Sequence, residues 1–270
     1  LNPFYNNSTN WWKEVYQVAK VWNANIQASG GSEGVQYMVG AGYYNEEGIA
    51  LGSGFKRISV LSNLTAQPAD RLRLDSRLSL AYSDRSRGGR TSGGGLGGKK
   101  VEGISADPTS ESSLYPGNGY VREEFMEALN SVEEKNQSYS ARYNLRMEYE
   151  FIKNLRLSVS GSVDYNQQNQ NHFEPSTMDR DQHYSFSKGT ITRSISLLNE
   201  NLLNYDFSIR GNHNFALLLG LSFQKDQDFT NQGHGKNGPS DYVHYVGDGW
   251  GSNGLNFDDQ GNVSSAYYYS

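Results

Sequence analysis

The sequence predicts an all-β fold, an antiparallel transmembrane β-barrel of which this chain carries about eight strands of a larger cylinder. Three observations predict it. Apolar and polar residues alternate with a period of two over long runs, the connections between runs alternate between tight and long, and a low mean hydropathy coexists with many aromatic rings. The 270 residues are 36% hydrophobic with a mean hydropathy of -0.72, yet they include 19 Tyr, 11 Phe, 4 Trp and 30 Gly. Low hydropathy alone would fit a loop-rich or disordered chain, but disordered segments lack such rings. A wall with one polar and one apolar face has this composition, because half of each strand never meets lipid.

The first hairpin places Trp22, Ala24, Ile26 and Ala28 on one face, turns at Gly30 to Gly34, and returns through Val35, Tyr37, Val39, Ala41 and Tyr43. In the second, Ile58, Val60, Leu64 and Ala66 lead through Pro68 to Asp70 into Leu72, Leu74, Leu78, Leu80 and Tyr82. The third carries the clearest alternation. Tyr139, Ala141, Tyr143, Leu145, Met147, Tyr149 and Phe151 share one face, while Ser140, Arg142, Asn144, Arg146, Glu148 and Glu150 share the other. After Ile152 to Asn154, Leu155, Leu157, Val159, Gly161, Val163 and Tyr165 continue the apolar face against Arg156, Ser158, Ser160, Ser162 and Asp164. The fourth runs from Leu197, Leu203, Tyr205, Phe207 and Ile209 through Arg210 to His213 into Phe215, Leu217, Leu219, Leu221 and Phe223.

Those four turns are tight, whereas 45–55, 84–137, 166–192 and the stretch from 225 onward read as longer connections. Short turns at one end and long loops at the other are the signature of an outer-membrane barrel, and a soluble sandwich has to explain several long loops gathered at one end. Two groups of rings mark where strands leave the hydrocarbon. Trp22, Tyr43, Tyr82, Tyr165 and Phe223 stand at the long-loop ends, and Tyr149, Phe151, Tyr205 and Phe207 at the tight-turn ends, as two aromatic girdles.

An open sheet cannot remain in lipid, since each unpaired N–H or C=O there costs several kcal/mol, so closure is required. The inward face carries Arg71, Arg73, Asp75, Arg77, Arg142, Arg146, Glu148 and Glu150, which are mostly long and charged. Such a lumen suits water or a plug rather than a packed interior. Starting at Leu1 with no signal segment and stopping at Ser270 in an apparent loop, the sequence reads as an internal portion of a larger barrel. It divides into 1–20, a segment of an early extracellular loop with a short helix; 21–224, the barrel strands; and 225–270, an extracellular loop region.

Several short segments resemble the SusC-like (RagA-like) TonB-dependent transporters of the Bacteroidetes outer membrane. Thr9-Asn10-Trp11-Trp12-Lys13-Glu14-Val15-Tyr16 resembles the family's Thr-Asp-Trp segment, with Asn10 where Asp is common. Asn25-Ile26-Gln27-Ala28-Ser29-Gly30-Gly31-Ser32 resembles its Ser-Gly-Gly-Ser hairpin, and Gly42-Tyr43-Tyr44-Asn45-Glu46-Glu47-Gly48-Ile49 its Gly-Tyr, Glu-Gly-Ile loop. Gly54-Phe55-Lys56-Arg57 and Tyr149-Glu150-Phe151-Ile152-Lys153-Asn154-Leu155 continue the match in order. The resemblance covers about Asn10 to Gln224, and the Gly- and Arg-rich stretch from Arg85 to Lys100 departs from it. It implies a barrel of about 22 strands around an internal plug. It also implies energy from TonB through an N-terminal part missing from this chain, and a SusD-like surface lipoprotein as the outer cap.

Other chemistry is absent or weak. A net charge of -5 and a pI of about 5.6 give no basic field for nucleic acid, and zero cysteines exclude disulfides and thiolate sites. No run of apolar residues is long enough for a membrane helix. Gly93 to Lys99 fits G-x-x-x-x-G-K, but Lys100 stands where a phosphate loop needs Ser or Thr, so a flexible loop is the better reading. His172, His183, His213, His234 and His244 lack metal-site spacing, and Asp258 to Asn262 lacks the EF-hand pattern. Adjacent carboxylates such as Glu46-Glu47, Glu123-Glu124 and Glu133-Glu134 diverge on either a strand or a helix. Arg122 to Val132 reads as a short amphipathic helix. No nucleophile constellation occurs, so neither enzyme activity nor a cofactor or metal is expected. Trp11, Trp12 and Trp250 are candidate ligand contacts, because ring faces stack on sugar faces.

The expected function is TonB-dependent import of a bulky nutrient, a glycan oligomer or peptide, by an integral barrel in outer-membrane lipid. A passive porin or adhesin barrel shares the strands without plug or energy. A soluble β-sandwich carbohydrate-binding module would instead pack the apolar face on a second sheet.

Overall fold

The computed structural model describes residues 8, 10, 13, 16–49, 53–85, 131–178, 183–209, 213–245 and 264–269. They form one antiparallel sheet in strict sequence order: β1 (Val21–Ser32), β2 (Val35–Glu47), β3 (Gly54–Ala69), β4 (Leu72–Asp84), β5 (Glu133–Ile152), β6 (Leu155–Glu174), β7 (Phe186–Ile209), β8 (His213–Lys236) and β9 (Ser264–Tyr269). Every strand pairs with its neighbours in the chain, the up-and-down order of a barrel wall. The alternation explains why register is unambiguous: a slip of one residue would exchange the two faces. Thus Leu74 lies opposite Met147, and Met147 opposite Val159, with Asp75 opposite Arg146 and Arg146 opposite Ser160 on the reverse face.

Turn chemistry matches the tight connections. Glu33–Gly34, Asp70–Arg71 and Lys153–Asn154 are two-residue turns, and Asn154 takes the left-handed conformation (φ 69°) that asparagine tolerates well. Pro68 falls where the β3–β4 register shifts between Ala66 and Ala69, a bulge that needs no donor from proline. In the first hairpin a Cβ on Gly31 would stand 2.3 Å from the Val35 carbonyl oxygen. Gly31→Ala is therefore expected to destabilise the β1–β2 hairpin by about 1–3 kcal/mol, read as a lower unfolding midpoint of the full-length parent protein in detergent. An unchanged midpoint would show that the turn relaxes freely.

The strands differ from the sequence expectation in length and number. β6 runs to Glu174 and β7 starts at Phe186, so much of 166–192 is paired strand; β8 continues to Lys236, and β9 lies within 225–270. Beyond the apolar band both faces meet water, so Asn, Gln, Ser and Thr occupy both and the period-two signal vanishes while backbone pairing continues. About ten residues suffice to cross the hydrocarbon, whereas β5 and β6 have 20 residues and β7 and β8 have 24. Their surplus forms a wall past the long-loop end of the band.

Little of this sheet is buried. Among the described residues, Val132 (3% exposed) and Phe173 (2%) are the buried apolar side chains, while the apolar face is open. One sheet without a covering layer has no core of its own.

Candidate functional site

The polar face of β4 to β7 carries a charge network that runs from the tight-turn end toward the long-loop end. Arg73 Nε lies 3.1 Å from Asp75 Oδ2, and Thr65 Oγ1 donates to Asp75 at 2.6 Å. Arg146 donates to Ser158 Oγ at 2.9 Å and pairs with Glu148 at 3.3 Å. Arg142 pairs with Asp164, and Arg156 with Asp206 at 3.3 Å. The register sets Arg73 opposite Glu148 and Asp75 opposite Arg146, so pairs on one strand interlock with those on the next. These exposed pairs contribute little stability individually; together they give the face alternating charge. Arg77, opposite Asn144, stands exposed. Arg71 lies in the β3–β4 turn rather than in a strand and donates to the Phe151 carbonyl at 3.2 Å. Glu150 accepts the Asn154 amide at 2.9 Å, closing the next turn beside the register shift at Glu150/Ile152. A cavity of about 140 Å³ opens nearby among Gln36, Thr65, Gln67 and Arg73. Among the described residues no group of three or more His, Asp or Glu side chains could hold a metal ion.

At the opposite end, residues 237–245 leave β8 and fold back across β7, β6 and β5 on the same side as the apolar band. The Asn237 amide donates to the Ser185 carbonyl at 2.6 Å, and the Gly238 amide to Ser185 Oγ at 2.9 Å. Asp241 accepts both the Ser176 amide (2.9 Å) and hydroxyl (2.6 Å). The His244 carbonyl accepts from Asn171 Nδ2 (3.1 Å) and Ser187 Oγ (2.8 Å), while its ring stacks on Phe173 at 4.3 Å between centroids. His244 Nδ1 meets Glu133 Oε2 at 2.6 Å, and Lys135, paired with Glu133, donates to Tyr245 Oη at 3.2 Å. This clasp explains why Phe173 and Ser187 are buried in a sheet that is otherwise open.

Burial pushes the Glu133 carboxyl up, but hydrogen bonds from Lys135 and His244 and their charges outweigh it and hold its pKa below the ordinary value. Hydrogen bonds to Glu133 and then Tyr245 raise that of Lys135 against opposing burial. A lowered carboxyl stabilises the folded state above its unfolded pKa and loses that contribution as pH falls through the folded value. A raised amine does so below its unfolded pKa and loses it as pH rises through the folded value. The clasp is thus expected to hold at neutral pH and loosen at both limits. Glu133→Gln should weaken it at neutral pH and flatten the acid-side loss, measured by hydrogen exchange across 237–245 in the full-length protein; an unaltered acid limb would contradict this.

No family model matches the chain. Among curated proteins it is 24% identical over 237 residues to TonB-dependent receptor P3 of Formosa agariphila, covering 82% of this chain and 23% of that protein. It is also 24% identical over 223 residues to TonB-dependent receptor P26 of the same organism, covering 81% and 22%. The chain thus spans less than a quarter of the length of these relatives. The sheet superposes on a chain of the RagAB peptide importer in its closed-closed state with a TM-score of 0.78, at 20% identity, over 98% of this chain and 30% of that one. The open-open state gives 0.71 at 19% identity, over 96% and 29%.

The chain has the fold of part of a TonB-dependent receptor barrel. The nine described strands match a portion of that barrel's wall. In this sheet the rings fall at the two ends of the apolar face. Tyr149 meets Phe151 edge-on at 5.0 Å, and Phe207 stacks on Tyr205 at 5.2 Å and on Phe215 at 5.3 Å. At the other end Tyr43 lies opposite Ile58, Ile58 opposite Tyr82, and Tyr82 contacts Tyr139 at 5.1 Å. Tyr165 lies opposite Ala141, while Trp22 (65% exposed) and Phe223 (59%) stand open near the sheet's edges. Phe215 and Tyr139 stand with these rings, and cross-strand register identifies them. Also missed are Asn199 and Asn201 on the apolar face, which bond to each other at 2.6 Å. Leu198 and Leu202 occupy the polar face in exchange, opposite Gln224 and Gly220. Trp11, Trp12 and Trp250, with Arg122 to Asn130 and Asp258 to Asn262, lie outside the described residues.

Proposed function

We propose that this chain forms part of the wall of a TonB-coupled importer that carries a bulky nutrient, a peptide or glycan oligomer, across the outer membrane beneath a SusD-like lipoprotein. The observation that carries the proposal is the sheet's division into an open apolar face and a face crossed by interlocked ion pairs. The apolar face contacts lipid, with Trp22, Tyr43, Tyr82, Tyr165 and Phe223 at the outer head groups and Tyr149, Phe151, Tyr205 and Phe207 at the inner ones. Arg73, Arg77, Arg142, Arg146, Glu148 and Glu150 line the lumen, with Arg71 at its tight-turn rim, and their alternating charge suits a hydrated plug rather than packed side chains. Tight turns then face the periplasm, and the extended ends of β5 to β8 rise outside. Residues 21–224 serve mainly as wall, with 1–20 and the stretch after Lys236 on the outer side. Similarity to both curated TonB-dependent receptors supports energised import over passive diffusion, and the likeness to the RagAB peptide importer puts peptides first among cargoes.

The test is uptake of labelled peptides and glycan oligomers by cells carrying or lacking the parent gene, with and without a collapsed proton gradient. Loss of one cargo on deletion, reproduced by the collapse, is expected. Uptake independent of the gradient would replace the importer with a porin, and unchanged uptake of every cargo would overturn the proposal.

A further inference from the structure

Charge is unevenly divided between the two faces just beyond the apolar band. On the apolar side, the next outward residues are Gln137 on β5, beyond Tyr139; Gln167 on β6, beyond Tyr165; Arg193 on β7, beyond Ile195; and Lys225 on β8, beyond Phe223. Arg193 and Lys225 are exposed, and Arg193 lies 5.2 Å from the Phe229 ring centre, which holds it against the wall. The carboxylates on this side of β4 to β8 are Glu133, already engaged by Lys135 and His244, and Asp84 on β4, opposite Gln137, which accepts from Tyr82 at 3.4 Å and lies opposite Lys56 on β3, three strands from Arg193. The opposite side at the same level carries three carboxylates, Asp164, Asp226 and Asp228, against one cation, Arg142, which is paired with Asp164. Cross-strand register sets Phe229 opposite Arg193 and Leu197 opposite Lys225, so four residues of strand, about 13 Å, separate the two cations.

This arrangement is chemically selective. Two cations with no free carboxylate beside them suit phosphate, neighbouring amides suit sugar hydroxyls, and the aliphatic face below suits acyl chains. A neutral or zwitterionic head group would use neither cation fully. We propose that Arg193 and Lys225, with Gln137 and Gln167, bind the phosphorylated sugar head group of an outer-leaflet lipid whose chains lie along the apolar face of β5 to β8. The inference rests on the orientation given above, with the apolar face in lipid and the long-loop end outside. It concerns the annular lipid rather than the cargo.

The test uses the full-length parent protein in detergent, titrated with diphosphorylated lipid A, the same lipid with its phosphates removed, and phosphatidylcholine, with the rise in unfolding midpoint giving apparent affinity. Wild-type protein should bind the diphosphorylated lipid at least tenfold more tightly than the other two. At the strength of one interfacial cation, Arg193→Gln and Lys225→Gln should each weaken it about fivefold, and together about twentyfold or more. Lys153→Gln removes a cation at the tight-turn rim and should leave binding unchanged, and Lys225→Arg should restore it. Equal affinity for the dephosphorylated lipid, or wild-type affinity in the double variant, overturns the proposal. The first comparison needs no variant and decides even if a substituted protein fails to assemble. Cargo uptake is scored separately: lost phosphate selectivity with intact uptake refutes this site alone, whereas absent uptake with selective lipid binding refutes the transport proposal alone.

Discussion

Val159→Arg is expected to cost about 2–4 kcal/mol of barrel stability, the effect of a cation at the bilayer midplane. Val159 lies midway along the apolar run from Leu155 to Tyr165, opposite Met147 on β5 and Asn201 on β7. Its neighbour Ser160 points to the other face, opposite Arg146 and Glu200. Ser160→Arg therefore meets water, with the repulsion of Arg146 on one side offset by the Glu200 carboxylate on the other, and should change stability by less than about 0.5 kcal/mol. Denaturant unfolding of the full-length protein refolded into vesicles compares the two. The contrast between adjacent positions is the informative quantity, since helix or loop at this site would make them alike. Equal losses would remove the basis for placing the apolar face in lipid.

Phe173→Ala should release the clasp at 237–245. The Phe173 ring is 2% exposed and lies within 17° of parallel to the His244 ring. Removing a buried Phe side chain costs about 3–5 kcal/mol in a packed site. Here the loss is local, because the sheet beneath keeps its backbone pairing. At about 3 kcal/mol, exchange of the Asn237 amide should accelerate by about a hundredfold, while amides in the centre of β6 stay protected. Phe173→Leu, which keeps most of the apolar contact, should accelerate it far less. If both variants left Asn237 protected, the polar bonds of the segment, without the ring stack, would be holding it.

How much was legible depended on what each residue faced. From Tyr139 to Tyr165 one face meets lipid and the other water, so chemistry alternates and the hairpin could be read directly. From Asn166 to Glu174 the run Asn-Gln-Gln-Asn-Gln-Asn-His-Phe-Glu presents amides to both sides. Strand and loop look alike in such a run, because water satisfies either backbone equally well. β7 misleads in another way: Leu197-Leu198-Asn199-Glu200-Asn201-Leu202-Leu203 breaks the alternation. The exception is tolerated because Asn199 donates to the Ser160 carbonyl at 3.0 Å and Asn201 to Asn199, so neither amide is left unpaired.

The sequence by itself determined the two-faced wall and the tight turns at 33–34, 70–71 and 153–154, because these follow from side-chain period and turn chemistry within a few residues. Only the tertiary structure decided which charges meet, that the strands continue past the apolar band, and that 237–245 folds back onto Phe173 and Glu133. Those features join residues as far apart as Glu133 and His244. Their energy lies in cross-strand register and in buried hydrogen bonds, and neither leaves a local periodic trace in the chain.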